Sequence, residues 1–191
     1  MTNMTPLYIS GTDGEFTAVE RFRTIMNFLK KDDPEMASKI LLSGNIDIVN
    51  LALENGFDLT PKYQDASYAL AEKNVDILEW IVNQGYFKEV NFPYQFSAFF
   101  AEINRLDLIK TLEGQGCKWR HPSVCYKAAA SGNLDLLKWA VGMMCPWNEC
   151  AHSEALKYGH TDVAKWVEIF MREVPSSPST GVLPNIPVSC S

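Results

Sequence analysis

The chain has 191 residues, 47% hydrophobic and 21% charged, an ordinary globular composition with enough apolar material for a sizeable core. Its formal net charge of −6, with no Lys/Arg cluster to offset it, disfavours nucleic acid as the main partner. No apolar run approaches the ~18 residues of a membrane helix, and MTNMTPLYIS is no secretory signal, so the expectation is an intracellular, cytoplasmic protein without a membrane partner. The cysteines at 117, 125, 145, 150 and 190 are odd in number and unevenly spaced, and free thiols are expected.

In chain order, the first element is VERFRTIMNFL, Val19 to Leu29, apolar at 19, 22, 25, 26 and 29. Thr17 with Glu20 forms a capping box ahead of it, and residues 1–32 read as an N-terminal segment with a capping helix.

From there the sequence repeats itself. AAASGNLDLLKWA (Ala128 to Ala140) has counterparts in LLSGNIDIVNLA, LAEKNVDILEWI, FAEINRLDLIKT and ALKYGHTDVAKWV. The aligned aspartates are Asp47, Asp76, Asp107, Asp135 and Asp162. Three residues before each stand Gly44, Lys73, Asn104, Gly132 and Gly159, where Gly or Asn suits a left-handed residue that stops a first helix. In the next column Asn45, Asn74 and Asn133 can cap a second helix, with Arg105 and His160 in the other copies. The aspartate then lies in that helix's first turn, where the dipole favours negative charge. Lys110, Lys138 and Lys165, three residues later, are placed to pair with it. Apolar residues at +1, +2, +4 and +5 make a helical stripe. Trp80, Trp139 and Trp166 occupy its +4 position and are expected in the core.

The first helices have their own start signal. Pro34, Pro61, Pro93 and Pro122 precede the aspartates by 13 to 15 residues, and Asp33, Thr60 and His121 precede three of them. Proline at the first helical position after a capping residue opens a helix. The last copy has Asn148 and no proline. Each unit is therefore helix, tight turn, helix, short loop, and such units bury their apolar faces by stacking. Residues 33–173 make the repeat domain. Residues 174–191, uncharged and rich in Pro and Ser, read as an extended or mobile tail.

GNLDLLKWA and GHTDVAKWV resemble the second-helix phrase G-H-L-E-I-V-K-L-L of the ankyrin repeat family, and the resemblance covers roughly residues 33–171. The copies are shorter than the family's repeat of about 33 residues. The T-P-L-H start is absent, and two loops read GCKW and MCPW. Short repeats with such loops are similar to ankyrin proteins of large DNA viruses and protists. The resemblance implies an all-α solenoid of about five helix-turn-helix repeats. It implies non-enzymatic protein binding on a concave face lined by the first helices. For a viral member, host cytoplasm or virion would be the location.

Two columns of the first helix mark where a partner would sit. Eight residues before the aspartate stand Lys39, Tyr68, Phe99, Lys127 and Glu154, whose charges suggest exposure. One turn on stand Ser43, Glu72, Ile103, Ser131 and Tyr158. Tyr68, Phe99 and Ile103 would then face outward on adjacent repeats, and Tyr68, Glu72, Phe99, Ile103 and Lys127 are the candidate partner-binding residues. The competing reading packs these side chains under a loop or between repeats.

Cys145, Cys150, His152 and His160, and separately Cys117, His121 and Cys125, have ligand types that zinc accepts. They are set aside because they fall on turn and helix positions of the repeat. His121 and Cys125, one turn apart, have no further sign of a thiol enzyme, and phosphate-loop and nucleophile-elbow motifs are absent. No cofactor and no catalysis are expected. The function expected is an adaptor, decoy or inhibitor, monomeric in isolation. The alternative is a small structural subunit of a larger assembly, such as a viral particle, docking through its surface and tail.

Overall fold

The structure, a computed structural model, describes residues 17–88, 94–147 and 150–173. Among the described residues there are eleven α-helices, two 3-10 turns and no strand, so the fold is all-α. No described helix is long and apolar enough to cross a membrane. The chain divides into two compact units, one ending at Tyr86 and one starting at Phe87.

The first unit holds α1 (Ala18–Ile25), α2 (Pro34–Leu42), α3 (Ile46–Glu54), α4 (Tyr63–Ala71) and α5 (Val75–Asn83). α1 packs on α3, α2 on α3 and α4, and α4 on α5. Its start is the capping box read from the sequence: Glu20 N–H donates to Thr17 Oγ1 and Thr17 N–H donates to the Glu20 carboxylate. The helix is shorter than the apolar pattern suggested. It gives way at Met26 to a 3-10 turn, and Phe22 is its one fully buried side chain. The second unit holds α6 (Tyr94–Glu102), α7 (Leu106–Gly114), α8 (Pro122–Ala130), α9 (Leu134–Gly142), α10 (Cys150–Lys157) and α11 (Thr161–Glu173). α8 packs between α6 and α10, and each of these three also packs on the helix that follows it.

The turn inside each pair follows from one backbone requirement. Gly44, Lys73, Asn104, Gly132 and Gly159 all have positive φ, from 53° to 81°, including the two that are not glycine. In four of the turns the following residue donates its N–H back to a carbonyl five residues earlier: Asn74 to Ala69, Arg105 to Phe100, Asn133 to Ala128 and His160 to Ala155, each at 2.8 Å. This closes the last turn of the first helix and reverses the chain in three residues. A second left-handed column closes the second helices, at Gly56, Gly85, Gly116 and Met144, nine residues after the aspartates.

The helix starts follow the sequence in part. α2 begins at Pro34 with Asp33 accepting from Glu35 N–H at 2.9 Å, and α8 begins at Pro122 with His121 as its cap. α4 departs from the pattern. Thr60 is held by Asp58, Pro61 lies outside the helix, and the helix opens at Tyr63, with Asp65 accepting from Lys62 N–H at 2.7 Å. Pro93 and Asn148 lie outside the described residues.

The five aspartates all lie in first turns, as their spacing predicts. The lysine pairing does not form. Among the described residues Lys110, Lys138 and Lys165 make no ion pair with them, and Asp107 instead takes Arg105 at 2.6 Å.

The +1, +2 and +5 columns are buried in every copy, from Ile48, Val49 and Ala52 to Val163, Ala164 and Val167. The +4 column is not core, and the reading of Trp80, Trp139 and Trp166 is corrected: all three are half-buried. At ~100° per residue, +1, +5 and +2 share an arc of about 100°, and +4 lies about 60° outside it. Trp139 stacks there on the fully buried Trp119, with ring centroids 5.0 Å apart, and Trp166 stacks on Phe170 at 5.1 Å.

Successive pairs are tied at their turns. Asn74 caps α5 by accepting from Ile77 N–H at 3.0 Å, and its Nδ2 donates to Gly44 O at 2.8 Å. Asn133 makes no side-chain cap; its Nδ2 donates to Ala101 O at 2.6 Å. His160, in the same column, lies against Gly132, where an added Cβ would come within 2.5 Å of the imidazole.

Gly132→Ala and Gly116→Ala therefore separate two effects. Both glycines are left-handed, so each alanine costs about 1–2 kcal/mol of backbone strain. Only Gly132 has a neighbour within 4 Å. Urea unfolding is expected to show the larger loss for Gly132→Ala, with the excess removed in Gly132→Ala/His160→Ala.

Candidate functional site

In the first unit, the turn that ends α2 and the face of α4 border a cleft of about 230 Å³. It is lined by Leu41, Ser43 and Gly44 from the turn, Tyr68 and Glu72 from α4, and Asn74 from the next turn, among others. Tyr68 and Glu72 are one helical turn apart and so share a face. Tyr68 is 40% exposed and Glu72 is exposed. Two of the five candidate residues thus converge on one concavity. Among the described residues Glu72 makes no ion pair and no side-chain hydrogen bond.

The other three lie in the second unit and differ in character. Phe99 does not face outward: it is 9% exposed, and the expectation is corrected. α6 packs against α8, so that helix face meets a neighbouring helix rather than solvent. The rest of the column is mixed. Lys39 and Lys127 are half-buried, and Glu154 is buried. Lys127 Nζ lies 2.7 Å from Glu102, and Ile103 is half-buried. Glu154 takes Lys157 at 3.3 Å, and its Oε2 is buried without a hydrogen-bond partner. Burial, and next the Glu154 carboxylate, push the nearby Tyr126 hydroxyl up. Charge in this column therefore does not mark a uniformly exposed face; one turn later Glu72 and Tyr158 are exposed, while Ser43, Ile103 and Ser131 are half-buried.

The two sets of zinc-type residues do not assemble. Among the described residues no three His, Cys, Asp or Glu side chains converge on a metal position. Cys145 Sγ lies 3.4 Å from His121 O, and Cys125 on α8 hydrogen-bonds with Cys145. His121 turns to Ser123, whose N–H donates to Nδ1 at 3.3 Å, and its ring stacks on Tyr94 at 4.0 Å. Burial pushes the imidazole below its ordinary range. His121 and Cys125 therefore do not form a nucleophile pair; the cysteine's partner is another cysteine. That contact joins residues twenty apart, and nothing in their local spacing announces it. Cys145, and next burial, push the Cys125 thiol up, while the hydrogen bond from Cys125 lowers Cys145. Cys117, Cys125 and Cys145 are free, as expected.

The spacing had also hidden the backbone part of the cleft, because Gly44 and Asn74 were read as turn and cap alone. No family model, curated protein or solved structure matches the chain.

Two tests check this geometry. Phe99→Asp places a charge among buried side chains and should unfold its unit, whereas Tyr68→Asp should leave the circular dichroism spectrum and the melting midpoint near wild type. Maleimide labelling of the native chain should leave Cys117, Cys125 and Cys145 unmodified until denaturant is added, because all three are buried.

Proposed function

We propose that the protein is a non-enzymatic binding module for another protein. The supporting observation is the unit-one cleft, where an exposed Tyr68 and an unpaired Glu72 stand beside a rigid helix turn. Helix pairs held by tied turns offer a preformed surface, so little ordering entropy is lost on binding. The helix-turn-helix repeat supports an ankyrin-like solenoid, a scaffold on which adaptor, decoy or inhibitor roles are built from surface side chains alone. In this reading the chain is an intracellular monomer.

A second reading has a specific observation behind it. The last described pair exposes Leu156, Tyr158, Ile169 and Met171. Four exposed apolar side chains on one helix pair favour a surface that is covered in an assembly, and the chain would then be a structural subunit.

Affinity capture from the producing cells tests the two. Wild type is compared with Tyr68→Asp/Glu72→Lys, both shown to be folded. A protein retained by wild type and lost at least about tenfold with the variant, as expected for a hot-spot pair, supports the module. Self-association of the pure chain in sedimentation, abolished by Leu156→Glu/Ile169→Glu, supports the subunit.

A further inference from the structure

We infer that the unit-one cleft is a pocket for one basic side chain, an arginine or lysine presented by the partner protein. The inference rests on the protein-binding reading and names the chemistry of its contact.

Four features converge on positive charge. The turn lining one side is the C-terminal end of α2, and the other side is the C-terminal end of α4, where Glu72 is the cap residue. The aligned peptide dipoles place partial negative charge at each helix C-terminus, so two such ends meet at one cleft. Glu72 adds a full negative charge that no cation in the described chain neutralises. Tyr68, one turn back, offers an exposed ring for the aliphatic stem or for a cation–π contact. Lys39 and Lys73, the basic residues nearest in sequence, do not line the cleft.

Size decides between ligand classes. Small-molecule sites run about 300–1,000 Å³. A volume of about 230 Å³ is short of that range and suits one extended side chain. A planar guanidinium could bond Glu72 in bidentate fashion and still reach carbonyls of the α2 turn. Gly44 O is already taken by Asn74 Nδ2, which fixes the turn before any ligand arrives. The second unit shows the contrasting case: Glu102, also at the end of a first helix, is already neutralised by Lys127 at 2.7 Å.

The test uses the full chain, labelled with nitrogen-15, and blocked tripeptides Gly-Arg-Gly, Gly-Lys-Gly, Gly-citrulline-Gly and Gly-Glu-Gly. Arginine and lysine peptides should produce saturable shifts at the amides of Ser43, Gly44, Glu72 and Asn74. Citrulline, which keeps the shape and drops the charge, should bind more weakly, and the glutamate peptide should not bind. Glu72→Gln should weaken arginine binding about two- to fivefold, the range of an exposed ion pair, and added salt should weaken it further. Equal binding of arginine and citrulline overturns the inference, as do shifts confined to the second unit or indifference to Glu72→Gln. If the peptides fail while affinity capture still retains a partner, the pocket falls and the binding module stands. If the peptides bind but capture retains nothing, the pocket stands as a cation site and the module reading falls.

Discussion

The backbone sign of φ at five positions controls the structure. A helix running into Gly44, Lys73, Asn104, Gly132 or Gly159 must stop, because a left-handed residue cannot continue it. In four of the five the next residue then returns its N–H to a carbonyl of the first helix, and the second helix begins. Helix lengths, the burial of the +1, +2 and +5 columns and the nearness of one turn to the next follow from that reversal. Glycine takes this conformation without cost. Lysine at 73 shows that the surrounding hydrogen bonds impose it even on a residue that resists it. The site depends on the same constraint, since the reversal at Gly44 brings the end of α2 to the border of the cleft and leaves its carbonyls there.

The column after the turn adds a second constraint. Asn74 uses its two amide ends for different purposes, one to start α5 and one to hold the preceding turn. Helix initiation and stacking are thereby joined in a single side chain. Asn45, with both its contacts on α3, only caps. Asn133 only ties, and His160 fills the same place by contact of its ring with Gly132. One column thus serves the same end by three means, which is how a repeat tolerates divergence while keeping its spacing.

Much of the fold was legible because its signals are local. Turn stereochemistry, first-turn aspartates and the +1, +2, +5 stripe each depend on a few neighbouring residues. The errors came where a neighbouring element decides. The charges in the column of Phe99 suggest exposure, yet α6 packs against α8 there, and Lys127 and Glu154 find ionic partners in Glu102 and Lys157. The +4 tryptophans were read as core because they are apolar, although the helical arc leaves them at its edge. Pro61 failed as a helix start because Asp58 and Asp65 organise that loop differently. Of the site, Tyr68 and Glu72 could be found by column. That they border a concavity with a backbone wall depends on the packing of α2 against α4, which no single repeat encodes.

The flank position of the tryptophans has an optical consequence. Trp119 and Trp139 stack with an interplanar angle of 22° at 5.0 Å. Transition dipoles that close couple, so the second unit carries an exciton couplet in its indole ultraviolet bands. The first unit contains a single indole, Trp80, and can produce none. The two units are therefore spectroscopically distinct within one chain, without any label, and the order in which they lose structure is written in which band changes first.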